Sequence, residues 1–359
     1  MFRNYQFDSK DPSQCHSFEV HGVDVSIVNG IRRSILTDIE VVGFSGEENP
    51  SLEIVTNTGR LHNEIIMHRF GLLPIHVEET ETDAYPANPL YFELHKKNEG
   101  DDTVNVTTHD FKIVKRNDIA LTDAEIYRLF PVDMVSKQPI LITRLRPKEE
   151  LHVRGEAVKK TARFHAGFSP VSLCTFHNMQ DPVLAATQES VLDKERAFLR
   201  NEFGDPIAFH FDIEPKLKLS PRYLVSKAID ILIAKVGMVL QEIYQEHSDK
   251  VEIKVGDTGG VNFTFLGEDD TLGNLLQSYL HVNFVRPKKQ GANGHVISYV
   301  GYYCPHPLDN TMVLNLRFDD ETEKKPIKDY IDTLALAARN LSAHLQDLLN
   351  AWLRFAPKS

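Results

Sequence analysis

The sequence predicts an α+β protein made of two related halves, the first interrupted by a strand-rich insertion. Three observations carry this reading. Two long segments hold apolar residues in sustained four-three alternation, a strand, acidic turn and helix recur without a gap 245 residues apart, and the first copy contains about 140 residues that the second lacks. Together they describe a pseudo-twofold dimer held within one polypeptide.

The first helix is expected over residues 25–39. Ile27, Ile31, Ile35 and Ile39 recur at four-residue steps with Val28 and Leu36 beside them, so one face is apolar, and Asp24 can cap its start. Residues 44–165 read mostly as strands: alternating apolar stretches such as Leu52-Glu53-Ile54-Val55 and Ile140-Leu141-Ile142 are bounded by Pro and Gly. One helix is expected there, over 61–72, with surface loops at 78–89 and 98–105. The second helix of the repeat opens with Pro221 in its first turn and carries Val225, Ile229, Leu232, Val236, Val239 and Ile243 as a heptad stripe. A shorter helix follows Asp269 and Asp270, with Leu272, Leu275, Leu276, Tyr279 and Leu280 on one side. The last opens after Pro326 and runs through Ile327, Ile331, Leu334, Ala338, Leu341, Leu345, Leu348, Trp352 and Phe355. Both long stripes must be covered, since each large apolar side chain left in water forfeits about 1.5 to 3 kcal/mol.

The repeat supplies the cover. An offset of 245 puts Phe18 on Phe263, Val20 on Phe265, Gly22 on Gly267, Asp24 on Asp269, Asn29 on Asn274, Ile31 on Leu276 and Ile35 on Leu280. A second offset, of 105, lays Phe209, Phe211, Ile213 and Pro221 on Leu314, Leu316, Phe318 and Pro326. Each half is then strand, short helix, strand, long helix. Asn29 and Pro221 are 192 residues apart, Asn274 and Pro326 only 52, and the excess in the first half has the size of an inserted domain. The expected boundaries are 1–43 with 166–248 for the larger repeat unit, 44–165 for the insertion, and 249–359 for the smaller unit. The intramolecular dimer core is expected from Ile27, Ile31, Ile35, Val225, Ile229, Leu232, Val236, Leu272, Leu276, Leu334, Leu341, Leu345, Leu348 and Trp352.

Composition places the chain in the globular class, with 42% hydrophobic and 25% charged residues over 359 positions. A polar amino terminus and the interruption of the most apolar stretch by Asp230, Lys235 and Gly237 fit neither a signal peptide nor a membrane span, and an aqueous intracellular setting is expected. Three distant cysteines, Cys15, Cys174 and Cys304, fit neither a disulfide framework nor a CxxC zinc site. The formal charge of −11 is the wrong sign for a protein that grips DNA through many phosphates.

Catalytic signatures are missing in the same way. Asp101-Asp102, Asp269-Asp270 and Asp319-Asp320 are adjacent pairs suited to turns or caps, not the alternating carboxylates of a two-metal site. Asp257-Thr258-Gly259 occurs once, whereas aspartic proteases need two such carboxylates, and it reads as a hairpin turn. No phosphate-cradling Gly motif occurs, and His62 and His68 do not share a helix face. No catalytic residue, metal or cofactor is expected.

At three places the sequence resembles the alpha-type subunits of cellular RNA polymerases. Asn29-Gly30-Ile31-Arg32-Arg33-Ser34-Ile35-Leu36 is similar to the first dimerisation helix of the larger alpha-like (third) subunit. His62-Asn63-Glu64-Ile65-Ile66-Met67-His68-Arg69-Phe70-Gly71-Leu72-Leu73-Pro74-Ile75 is similar to that subunit's helix and following turn. Asp270-Thr271-Leu272-Gly273-Asn274-Leu275-Leu276 and Gly301-Tyr302-Tyr303-Cys304-Pro305-His306-Pro307-Leu308 resemble the smaller alpha-like (eleventh) subunit. The order larger-then-smaller resembles the fused subunit of large cytoplasmic DNA viruses, most closely that of African swine fever virus.

The resemblance implies a non-catalytic assembly scaffold whose two alpha-like halves pair and dock the two large catalytic subunits, with small zinc-binding subunits as further partners. It also implies residence in the host cytoplasm, at viral factories, and in the virion. No sequence-specific DNA binding and no membrane are expected. Two departures stand out: the four-Cys zinc loop often present in the larger subunit is missing, and Asp270 stands where the smaller subunit usually has His.

Arg32 and Arg33 lie off the apolar stripe, where an arginine fork suits desolvated carboxylate pairing across an interface; the resemblance assigns them to the second-largest catalytic subunit. His68 and Arg69 suit either an interface or the cationic last turn of a helix that ends at Gly71. Asn29 and Asn274 are expected to bond backbone at symmetric places. Pro305-His306-Pro307 is expected as a rigid loop leaving a strand, and residues 286–294 as an added basic loop.

Overall fold

The computed structural model describes residues 1–8, 14–46, 51–245, 248–256, 259–306, 308–319 and 325–357. Elements are labelled in chain order. The first unit begins with β1 (Phe2–Phe7), β2 (His16–His21) and α1 (Val25–Thr37), and β3 (Val41–Gly43) leads out of it. The insertion contains β4 (Leu52–Asn57), α2 (Asn63–Gly71), α3 (Glu79–Ala84), β5 (Leu90–Lys97), β6 (Val104–Thr107), β7 (Phe111–Arg116), β8 (Ile119–Ala120), α4 (Asp123–Leu129), β9 (Leu141–Leu145) and β10 (Glu150–Glu156). Then β11 (Val158–Lys160) pairs back on β3, and the first unit resumes with β12 (Val171–Asn178), α5 (Pro182–Thr187), α6 (Val191–Glu195), β13 (Ala208–Pro215) and α7 (Pro221–Glu242). The second unit is β14 (Val251–Val255), β15 (Val261–Leu266), α8 (Asp270–Leu280), β16 (Ile297–Tyr303), β17 (Thr311–Phe318) and α9 (Ile327–Phe355).

The two units share one topology. The first sheet runs β1-β2-β13-β12 and the second β14-β15-β17-β16, all neighbours antiparallel. The turns before the short helices also match: Gly22 and Gly267 both sit at positive φ (67° and 79°), where Gly alone pays no steric penalty. Asp24 and Asp269 then cap α1 and α8 by accepting from the backbone N–H two residues on.

Register corrects one detail of the repeat. Phe18 stands opposite Phe211 in the first sheet and Phe263 opposite Leu314 in the second. The strands β13 and β17 therefore correspond at an offset of 103, not the 105 read from sequence. Strand side chains alternate with period two, so an even slip keeps the same face and the apolar pattern cannot detect it. The connection before α9 is three residues longer, 319–326 against 216–220 before α7, because Pro326 is the N-cap whereas Pro221 is already inside α7.

One core spans both units. It joins Phe18, Ile27, Ile31, Ile35, Phe211, Val225, Ile229, Leu232 and Val236 to Phe263, Leu272, Leu276, Leu314, Leu334, Leu341, Leu345, Leu348 and Trp352, all buried. α1 packs on both α7 and α8, and α7 packs along α9. The two long helices are antiparallel: Trp352 Nε1 donates to the Arg222 carbonyl (3.1 Å) at one end, and the Tyr244 hydroxyl donates to Asp332 (3.1 Å) at the other. Gly30 permits the close approach of α1, since a Cβ there would lie 3.3 Å from Leu232 and 3.6 Å from Leu275.

The insertion has a separate core, running from Val42 through Phe44, Phe70, Phe92, Phe111 and Phe130 to Ala157, over the sheet β4-β10-β5-β7-β8. It differs from expectation in three places. The 78–89 stretch contains α3, which buries only Thr82 and so carries no apolar stripe. α4 is a second unexpected helix, opened by a capping box between Thr122 and Glu125. Asn98, expected in a surface loop, is buried and donates to the carbonyls of Asp102 (2.7 Å) and Leu145 (3.0 Å).

Candidate assembly interface

The joint between the units is built from reciprocal contacts, as a twofold interface requires. From α1, Arg33 donates through Nε to the Thr271 hydroxyl (2.9 Å) and through Nη2 to Asp269 Oδ2 (3.4 Å) at the start of α8. The symmetric position to Arg33 is Ser278, and its hydroxyl donates to Asp24 Oδ1 (2.8 Å) at the start of α1. Arg163, just after β11, pairs with both Asp38 at the end of α1 and Asp269 (2.9 Å). Burial opposes the Arg163 charge, and the two carboxylates outweigh it, holding the guanidinium above its ordinary value. Between α7 and the turn before α8, Lys235 pairs with Glu268 at 2.7 Å with both side chains largely out of water. Burial raises the Glu268 carboxyl, and the Lys235 ammonium works in the opposite direction.

Arg33 is thus drawn into the joint, and it touches the other half of its own chain. The sequence placed it correctly off the apolar stripe but did not foresee that α8 would begin beside it. Arg32 is half-buried on α1, and its Nε donates to the Asn29 side chain (3.0 Å). Asn29 therefore bonds a side chain and not backbone as expected, and its mate Asn274 is half-buried on α8.

The remaining candidates lie on other elements. His68 and Arg69 are exposed at the end of α2; the His68 ring is 6.2 Å from that of His165, and Arg69 donates to the Ile142 carbonyl (2.6 Å). Arg69 thereby ties α2 to β9 within the insertion. Pro305 and His306 are exposed beyond β16, with His306 Nδ1 accepting from the Leu308 N–H (3.2 Å), while Pro307 lies outside the described residues. The basic 286–294 segment is anchored: Arg286 pairs with Asp205, and the Asn293 amide donates to Asp329 (2.8 Å) on α9.

The insertion is fastened to the first unit by polar contacts that sequence reasoning missed. Glu79 accepts from the Ser220 N–H (2.8 Å) at the start of α7, while Asp83 accepts from the Tyr223 hydroxyl (2.8 Å) and Lys227 (2.8 Å). Acidic α3 thus sits at the positive end of the α7 dipole. Nothing local in Glu79–Ala84 announces that partner. Among the described residues no group of three or more His, Cys, Asp or Glu is placed to hold a metal ion, and no helix is long and apolar enough to cross a membrane.

Two copies of one sheet-and-helix unit joined through their helices, with titratable groups devoted to holding the copies together, define a dimerisation protein that contains its own partner. The comparison with known families agrees on both copies: the RNA polymerase Rpb3/Rpb11 dimerisation domain matches residues 17–236 and, in a second description of that name, residues 260–351. The chain belongs to this family, and it is a non-catalytic, assembly-type subunit of a multisubunit DNA-directed RNA polymerase. It is similar to subunit RPAC1 of the DNA-directed RNA polymerases I and III of Homo sapiens, 25% identical over 295 residues that cover 63% of this chain and 80% of the relative. Subunit RPB3 of RNA polymerase II of Schizosaccharomyces pombe is 22% identical over 291 residues, covering 71% and 94%. Subunit 3 of RNA polymerases II, IV and V of Arabidopsis thaliana is 28% identical over 192 residues, covering 50% and 58%.

Proposed function

We propose that this chain performs as one polypeptide the pairing that two separate alpha-like subunits would otherwise make, and that the paired unit is the platform on which the two large catalytic subunits assemble. The observation that carries this reading is the shared core of α7, α9, α1 and α8: the surface that a dimerisation domain keeps for its partner is already filled by the second half of the same chain. Residues outside the shared core, Arg32, His68, Arg69, Asn274, Pro305 and His306 among them, are candidates to meet other subunits, and small zinc-binding subunits belong among the partners. Of the two arginines on α1, Arg32 is the better candidate for the catalytic subunit because Arg33 is engaged internally. Arg32→Ala should leave the thermal midpoint within a degree or two while lowering recovery of the large subunits in a co-expression pull-down, since interface arginines weigh more in binding than in stability. Unchanged recovery would remove Arg32 from the interface.

The larger-then-smaller order in one chain also supports a place in the polymerase of a large cytoplasmic DNA virus, working in the host cytoplasm and carried in the virion. Immunofluorescence of infected cells and mass spectrometry of purified virions test that placement; a nuclear protein absent from virions would overturn it.

A further inference from the structure

The joint between the halves is reciprocal in position but not in charge. On one side, Asp269 divides its oxygens: Oδ1 caps α8 by accepting from the Thr271 N–H (2.9 Å), and Oδ2 accepts from the guanidinium groups of Arg33 (3.4 Å) and Arg163 (2.9 Å). On the symmetric side, Asp24 Oδ1 caps α1 by accepting from the Ser26 N–H (2.8 Å) and also takes the hydroxyls of Ser26 and Ser278. Its Oδ2 accepts no hydrogen bond among the described residues. The side chain that would have supplied one is Ser278, which ends at Oγ, four atoms of reach short of the guanidinium tip of its mate Arg33. Arg286, whose charge feels Asp24, is held by Asp205 instead.

The missing side chain has left its space behind. A cavity of about 190 Å³ lies here, bordered by Asp24, Ser26, Leu275, Ser278, Tyr279 and His344. Its lining sets the apolar Ile27, Leu275 and Val282 beside Asp24, whose counterpart Asp269 receives Arg33 on the other side of the pseudo-twofold. A planar guanidinium, with an apolar stem behind a fork of donors, matches a wall of carboxylate and apolar surface better than an ammonium does.

We propose that this cavity is a guanidinium-binding site, filled in the assembled protein by an arginine side chain of a partner polypeptide that completes in trans the contact Arg33 makes in cis. The inference rests on the asymmetry of the joint and stands or falls separately from the docking of the large catalytic subunits. The partner's arginine would lie with its stem along Leu275 and Tyr279 and its fork on Asp24 Oδ2.

The test uses the full chain, labelled with ¹⁵N, and three blocked amino acids as probes: N-acetyl-arginine methylamide, its lysine counterpart, and the neutral isostere N-acetyl-citrulline methylamide. The arginine probe is expected to give saturable amide shifts at Ser26, Ser278 and Tyr279 in the millimolar range, with the citrulline probe at least tenfold weaker and the lysine probe in between. Asp24→Asn keeps a good helix cap and should abolish the response. Ser278→Arg, which restores the symmetric side chain, should abolish it too, by filling the cavity from within the chain. A response that is non-saturable, equal for the citrulline probe, or retained in both variants would overturn the proposal. Binding of free ethylguanidinium without binding of the blocked arginine would also overturn it, by showing a site closed to a side chain.

Discussion

At the scale of single residues, the charged groups of the joint act as a latch between halves, and their chemistry sets two expectations. Lys235→Met strands the Glu268 carboxylate in a largely dry place and should lower stability by about 3 kcal/mol, because breaking one side of such a pair leaves an uncompensated charge. Lys235→Met with Glu268→Leu should recover most of that loss in urea unfolding, and no recovery would mean the pair is not the cause. Asp269 gives a pH signature. Burial pushes its carboxyl up, but hydrogen bonds from Thr271 and the Arg163 guanidinium outweigh burial and hold it at about 2, below the ordinary 3.8. A folded-state value below the unfolded one contributes stability that is complete above the unfolded value and is lost as pH falls through the folded one. The stability difference between the wild type and Asp269→Asn should therefore be constant above about pH 5 and shrink between about pH 4 and 2. A difference that does not change over that window would refute the assignment. These groups were only half legible in the sequence. The 245-residue repeat matched Asp24 to Asp269, but the pairing of Arg33 with its counterpart Ser278 was not read from it; Arg163 and Asp38 meet only because β11 returns beside β3, which no local pattern encodes.

At the scale of elements, what the sequence revealed is what burial writes into it periodically. The heptad stripes named α7 and α9 because Leu232, Val236, Leu341 and Leu345 all lie in the shared core, and each is fully buried. Leu232→Ala or Leu341→Ala should each cost about 2 to 5 kcal/mol, with the cavity left behind deciding where in that range. The other helices left no such trace: α3 packs an acidic face on the start of α7, and α4, which buries only Ile126 and Leu129, is too short to write a stripe. Strand register was invisible for the reason that parity is preserved under an even slip. One glycine has a sharper demand. A Cβ on Gly273 would come within 2.4 Å of the Tyr302 ring, so Gly273→Ala must push β16 and α8 apart and should cost about 1 to 3 kcal/mol by thermal denaturation, far more than the helix propensity gained.

At the scale of the whole molecule, the single core makes the two halves inseparable by dilution. A protease site placed at residues 248–250, between α7 and β14, should yield two fragments that co-elute on a sizing column at micromolar concentration, since the apolar contact persists when the tether is cut. Separate elution would show that each half closes its own core. The intact protein carries −11 formal charge, so submicromolar duplex affinity with a steep salt dependence is not expected in filter binding; observing it would require a local basic surface that outweighs the net field.

The position of the insertion also fixes an order of events during synthesis. In the second unit β15 and β17 are separated by α8, a short excursion and β16, and their pairing closes a loop of about fifty residues; in the first, β2 must wait for β13, with Phe18 meeting Phe211 only after the whole insertion has left the ribosome. The entropy of closing so long a loop grows slowly with its length, but an unfolded insertion would leave β2 and the apolar face of α1 uncovered for many seconds. Because the insertion has a core of its own and its ends are brought together by the β3–β11 ribbon, it can fold first and shorten the effective loop to the residues outside it. The ribbon is therefore a kinetic splice, holding open the register in which the two parts of an interrupted sheet will find each other.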